Sequence, residues 1–306
     1  MRAFIFPGQG SQSVGMGLEA YRERGTIRDI LDRANDVLGY RLTDIMFEGP
    51  TDELTATENA QPALFVHSYA LYQLLEAPEA AMVAGHSLGE YTALAVAGAL
   101  SFDEGLRLVR ARAEAMAAAG REQAGTMGAV IGLEDERVAA ICSEVAAGGD
   151  VVVPANYNAD GQVVISGSVP GVQAALVAAK EAGARMAREI NVSGAFHSPL
   201  MATAADALAE ALGAAVIENA TIPVTMNVST EPTTDGEVIR TRLLEQLTSP
   251  VRWTGSIRRM IADGATTFVE VGPGVVLTKL VGRIDRTPTS IAIGNLEQVA
   301  TFNTPA

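Results

Sequence analysis

Val83-Ala84-Gly85-His86-Ser87-Leu88-Gly89-Glu90-Tyr91 reads as the end of a strand, a tight turn and the start of a helix. Ser87 sits at the tip, framed by Gly85 and Gly89 in a G-x-S-x-G arrangement. So sharp a turn leaves the serine exposed and strained. The flanking glycines spare it side chains that would clash with the incoming strand and the outgoing helix. The helix that follows aims its free N–H groups and positive dipole end back at the serine, which suits an oxyanion. A strand feeding a helix through such a turn predicts a parallel α/β sheet.

The rest of the chain agrees with that class. It has 306 residues, 48% hydrophobic and 19% charged, enough for one large domain or a domain with an insertion. A lone cysteine, Cys142, excludes a disulfide framework and a cysteine-based metal site. It fits a reducing compartment. No stretch is apolar for long enough to span a membrane, and the opening Met1–Phe6 strand is too short for a signal peptide core. A soluble cytoplasmic protein without bound metal is therefore expected. The net charge of −14 argues against nucleic-acid binding. The charge is uneven: residues 1–100 carry 6 basic and 13 acidic side chains, residues 251–306 carry 6 and 4.

Phe4–Pro7 leads into a glycine-rich loop, Gly8-Gln9-Gly10-Ser11-Gln12, then Gly15-Met16-Gly17. It lacks the G-K-[ST] ending of a nucleotide loop and does not match G-x-G-x-x-G, so it is better suited to letting Gln9 enter a pocket. Helical spacing marks residues 27–37, with Gly39 as a stop. Pro62 is expected to open a helix over 63–75 on which His67 packs structurally. Further helices are expected over 88–100 and over 102–119, the second carrying Arg112 and Met116. Beyond Gly120 the texture changes. Strand 126–133, helix 134–145, strands 151–153 and 162–166 joined by an Asn156–Gly161 turn, helix 171–183 and strand 185–192 follow the β-α-β-β-α-β order of a ferredoxin-like unit. Helices over 199–212, 239–247 and 253–263 and strands over 224–227 and 267–271 complete the pattern, and the chain from Gln298 reads as a loose tail. The expected organisation is a large α/β subdomain (1–125 and 193–296), an inserted small subdomain (126–192) and a C-terminal tail (297–306).

A serine nucleophile needs a proton acceptor, and there are three histidines. His86 precedes the serine and should point away from its hydroxyl. His67 lies on a packed helix. His197, in the loop Ser193-Gly194-Ala195-Phe196-His197-Ser198-Pro199, is the best candidate base. A generic lipase or esterase would place an acid, then its histidine, near the C-terminus. Here 109 residues follow His197 and no carboxylate stands out as its orienter. Arg112 faces an apolar side of its helix, so it either pairs with a structural acid or is kept for a substrate carboxylate.

Six motifs then stand in the order found in malonyl-CoA:acyl-carrier-protein transacylases, the stand-alone fatty-acid enzymes and the acyltransferase domains of polyketide synthases. They are Phe6–Gln12, Gly85–Tyr91, Arg112 with Met116, Gly194–His197, Gln246-Leu247 before Pro250–Trp253, and Glu270–Gly274. The resemblance covers residues 1 to about 296. It implies an α/β-hydrolase-like large subdomain with a parallel sheet plus a ferredoxin-like insertion, and a ping-pong reaction. Ser87 would take malonyl from malonyl-CoA and pass it to the phosphopantetheine thiol of acyl carrier protein, with no permanently bound cofactor. His197 would be base and then acid, oriented by the main-chain carbonyl of Gln246. The N–H groups of Leu88 and Gln9 would form the oxyanion hole. Arg112 would grip the malonyl carboxylate, and Phe196 would fill the space of an α-methyl group. Met116, His86 and Asn156 join the substrate-binding set, with Asn156–Gly161 as a turn beside the CoA channel. A monomer is expected. Arg185, Arg188, Lys279, Arg283 and Arg286 would offer an acidic carrier a local basic face. A thioesterase on the same scaffold is the alternative, and the dicarboxylate anchor favours transfer over it.

Overall fold

A computed structural model describes residues 1–304. In chain order its strands are β1 (Arg2–Phe6), β2 (Ala80–Gly85), β3 (Gly125–Ile131), β4 (Val152–Ala159), β5 (Gln162–Ser168), β6 (Met186–Ile190), β7 (Val224–Thr225), β8 (Pro232–Thr233), β9 (Thr267–Val271) and β10 (Thr289–Ile293). They form two sheets. The larger runs β10-β9-β1-β2-β7-β8, parallel except for the edge strand β8. The smaller runs β4-β5-β3-β6 and is antiparallel throughout, as a ferredoxin-like order requires.

β1 lies at the centre of the large sheet because it is apolar at every position after Arg2. A strand covered by helices on both faces cannot alternate with polar residues. Its side chains divide by period two. Phe4 and Phe6 join Val83 in the core beneath the helices Thr57–Tyr72, Gly89–Val96 and Phe102–Glu122. Ala3 and Ile5 join Met82 and Ala84 against Trp253, Ile257 and Leu277 on the other face. β1 pairs with β2 so that Phe6 lies opposite Gly85. That register sets the glycine-rich loop beside the serine turn.

The small sheet has its own core, in which Val130, Val163 and Ile165 pack on Val138, Ile141, Val172 and Leu176 of its two helices. Cys142 belongs to it, and burial pushes its thiol up to about 12, so it is an inert core residue. The opposite face, with Met127, Ala155 and Val164, turns toward the main core. β4 is tied to the large sheet's side through Tyr157 N–H to the Val251 carbonyl and Val251 N–H to the Ala155 carbonyl, each 2.9 Å.

Several expectations need correcting. Asn156–Gly161 is not a turn. Residues through Ala159 continue β4, with bulges after Pro154 and Tyr157, and only Asp160-Gly161 turns. Pairing with β5 and docking on Val251 override the low strand propensity of asparagine. The helix expected to open at Pro62 starts at Thr57. So close to the start, the proline forgoes only the bond to the Glu58 carbonyl. The helix after Ser87 ends at Val96, and Gly98 adopts a left-handed conformation (φ 76°). The tail is not loose up to Asn303. Asn295 caps a helix over Leu296–Asn303, and Phe302 packs edge-on to Phe4 at 6.2 Å. Its apolar spacing (296, 299, 302) shows only when read from Leu296. The last two residues of that expected tail lie outside the described ones. β8, β10 and the Val276–Ile284 helix were not anticipated. Among the described residues no helix is long and apolar enough to cross a membrane.

Candidate active site

The turn after β2 is enforced by steric exclusion. A Cβ on Gly85 would lie 1.8 Å from the Gly89 carbonyl carbon, and one on Gly89 would lie 2.0 Å from the Phe6 oxygen. Ser87 itself adopts a left-handed φ of 52°. Such a conformation costs a non-glycine residue about 1–3 kcal/mol and persists only where the surroundings hold it. Here the Ser87 N–H donates to Asn227 Oδ1 at 2.7 Å, and the Asn227 side-chain NH2 donates to the Gly85 carbonyl at 2.6 Å.

His197 arrives from the loop after β6, also left-handed at φ 56°. Ser198 anchors this loop by donating to the Ala195 carbonyl at 2.6 Å. His197 Nε2 lies 2.8 Å from Ser87 Oγ, and Nδ1 lies 2.9 Å from the Gln246 main-chain carbonyl. A carbonyl can only accept, so Nδ1 carries the proton and Nε2 is left as the acceptor for the seryl proton. The carbonyl thus orients the ring without a carboxylate. Burial, and then the Arg112 charge, push the His197 pKa down to about 3. The base is therefore neutral well below the pH at which an ordinary histidine protonates. Because kcat/KM reports the free enzyme, we expect formation of a covalent acyl-enzyme to lose less than about twofold between pH 7 and pH 5.5. A base with the ordinary pKa near 6.5 would lose about tenfold over that range. Stopped-flow measurement across it separates the two.

Arg112 is 1% exposed and has no carboxylate within ion-pair distance among the described residues. Its partners are neutral: one terminal nitrogen donates to Gln61 Oε1 at 2.7 Å, the other to Ser87 Oγ at 2.9 Å and Gln246 Oε1 at 3.0 Å. The Nε–H has no acceptor, and the guanidinium lies over the Tyr91 ring at 5.6 Å. The structural-acid option is thereby removed. A cation buried against amides and the nucleophile is under-compensated and poised for an anion.

The remaining expected residues surround the same cleft, about 180 Å³ in volume, which Ser87, Arg112 and His197 also line. Phe196, Met116, Asn156 and His86 line it with Gln9 and Leu88. The His86 ring points away from the seryl hydroxyl, packing on Trp253 and meeting Asn158 Oδ1 at 2.8 Å. Among the described residues no acceptor takes the main-chain N–H of Gln9 or Leu88. Gly8 is pressed on the turn, since a Cβ there would come 2.6 Å from the His86 oxygen. The Gln9 side chain is held back by Thr57 at 3.2 Å. Two unoccupied N–H groups beside an activated serine can stabilise a developing oxyanion. The arrangement can therefore carry out acyl transfer through a seryl ester.

Sequence reading did not single out Gln61, Glu90 and Asn227. Glu90 lies inside the Gly85–Tyr91 motif, Asn227 ends the stretch 224–227 and Gln61 precedes Pro62, and none carries a signal of its own. No spacing links them. Of the five basic residues considered as a docking face, all are exposed, and Arg283 bonds to Gln162.

A model of the acyl transferase domain family matches residues 3–296. A malonyl CoA-acyl carrier protein transacylase of Bacillus subtilis (strain 168) is 44% identical over 301 residues, covering 97% of this chain and 94% of the relative. The solved structure of a malonyl CoA-acyl carrier protein transacylase from Coxiella burnetii superposes with a TM-score of 0.95 at 39% identity, over 98% of this chain and 96% of that one. A malonyl-transacylase in complex with a type II polyketide acyl-carrier protein superposes with a TM-score of 0.94 at 38% identity, over 98% of both chains.

Proposed function

This chain belongs to the acyl transferase family, and from that premise we propose how its residues divide the work of moving a malonyl group from malonyl-CoA to acyl carrier protein. The carrier's phosphopantetheine thiol is the acceptor, and no resident cofactor takes part.

Ser87 Oγ attacks the thioester carbon as its proton passes to His197 Nε2. The carbonyl oxygen becomes an oxyanion and is received by the N–H groups of Leu88 and Gln9. The C–S bond breaks, His197 returns the proton to the leaving CoA sulfur, and a malonyl ester stays on Ser87. The carrier thiol then loses its proton to His197 and attacks the ester carbon, and the proton goes back to Ser87 Oγ. Throughout, the free carboxylate rests on Arg112, with Phe196 and Met116 packed around the acyl chain. His86 and Asn156 border the entry for the pantetheine arm. The residues 126–192, with their separate core, serve as one wall of that entry.

The observation that supports malonyl in particular is Arg112. It is buried, has no carboxylate in direct contact among the described residues and sits 2.9 Å from the nucleophile. A carboxylate one carbon beyond the acylated carbonyl can pair with it there. An acetyl group would leave the charge unanswered in a closed pocket. Hydrolysis of simple acyl thioesters gains nothing from such an anchor. The test is the mass of the intact protein after mixing with malonyl-CoA and then with carrier protein whose phosphopantetheine thiol is free. We expect a single malonyl adduct that disappears from this chain and reappears on the carrier. An adduct lost as free malonate, with none on the carrier, would make the chain a hydrolase.

A further inference from the structure

We propose that Glu90 is a positioning residue for this reaction, whose buried carboxylate holds Gln246 with one oxygen and Asn227 with the other, and so sets the anchor arginine and the nucleophile turn in one arrangement. The inference rests on the malonyl-transfer reading given above. Glu90 is completely buried in the first turn of the helix that follows Ser87. It makes no direct ion pair with Arg112; one side-chain amide stands between them.

The two arms can be traced atom by atom. Glu90 Oε2 accepts from Gln246 Nε2 at 2.6 Å, which forces Gln246 Oε1 to face Arg112 at 3.0 Å. Were that amide reversed, its NH2 would meet the guanidinium, donor against donor. Glu90 Oε1 accepts from the Asn227 main-chain N–H at 2.6 Å. Asn227 in turn receives the Ser87 N–H and clamps the Gly85 carbonyl. Both of Glu90's partners are donors, which the ionised carboxylate satisfies. Burial opposes that charge and raises the carboxyl above the usual carboxylate range, and the two donors and Arg112 work against the rise. A purely apolar side chain would fill the space without this desolvation cost, so the acid must be there for what it orients.

Glu90→Gln separates the arms. The new amide has one acceptor oxygen for two donors. The Asn227 N–H is main chain and cannot turn away, so the oxygen stays with it. The new NH2 then faces Gln246, whose amide must flip and present its own NH2 to Arg112. The Arg112 contact is lost together with the Gln246 bond to the Ser87 carbonyl (3.0 Å), while the Asn227 clamp on the turn is kept. We expect kcat/KM for malonyl-CoA to fall about 10- to 100-fold further than that for acetyl-CoA, the worth of one hydrogen bond to a charged group. The malonyl:acetyl preference therefore collapses. Asn227→Ala is expected to slow both substrates alike and leave the preference intact. If Glu90→Gln fails to fold, Gln246→Ala carries the test of preference, since it removes the same side-chain contacts and keeps the main-chain carbonyl that orients His197. An unchanged preference in the folded Glu90→Gln or Gln246→Ala enzyme would overturn the proposal and leave Glu90 as packing. Wild-type enzyme is measured alongside. Should it form no malonyl adduct, the functional reading fails instead.

Discussion

Replacing Ser87 with alanine is expected to abolish the malonyl adduct and lower transfer to carrier protein by about 10⁴-fold or more, the range seen when a serine nucleophile is removed. His197 Nε2 and an Arg112 nitrogen both converge on this one oxygen, at 2.8 and 2.9 Å. The turn itself should survive, because its shape comes from Gly85, Gly89 and the Asn227 clamp, none of which uses the seryl oxygen. Intact mass and a thermal melt on the same sample check both parts. A malonyl adduct persisting on folded Ser87→Ala protein would place the covalent chemistry elsewhere.

Removing the Arg112 side chain should change which acyl group is carried. With Arg112→Ala, kcat/KM for malonyl-CoA is expected to fall about 10²- to 10³-fold, the worth of a charge-assisted bidentate contact in a closed site. Acetyl-CoA transfer should hold or rise, because the pocket no longer contains an unanswered cation and gains volume. The neutral oxygens left on Gln61 and Gln246 can be reached by water through the vacated space, so the fold should tolerate the change. There is a further consequence for the base. The Arg112 charge is the second cause of the depressed His197 pKa, after burial. A malonyl carboxylate paired with Arg112 offsets that charge and makes His197 a better base once the proper substrate is seated. Competition between malonyl-CoA and acetyl-CoA for the same enzyme measures the switch. An unaltered preference would make Arg112 a structural residue.

Not every part of this molecule was equally legible. The small sheet could be read from periodicity because its strands and helices alternate at conventional lengths and bury their own core. Asn156–Asn158 misled because asparagines signal a turn locally, while pairing to β5 and docking on Val251 hold them extended. At the site, Ser87 and His197 could be picked out as candidate nucleophile and base because those roles draw on a small menu and histidines are few. The carbonyl orienting His197 could only be inferred by resemblance, since every residue has a carbonyl and none carries a signature.

Some features follow from the sequence alone, because the physics that dictates them is local. The serine turn is one, since no side chain larger than hydrogen fits at Gly85 or Gly89. The apolar β1 is another, as are the α/β class and the absence of a cysteine framework. Only the tertiary structure decided which groups Arg112 meets. Its partners lie 25, 51 and 134 positions away, and the choice between a structural ion pair and an open anion site depended on which group stood beside it. The same holds for Glu90, whose partners come from segments 137 and 156 residues distant. Buried polar groups must be satisfied, but the chain can satisfy them from anywhere, and only the folded arrangement names the partner.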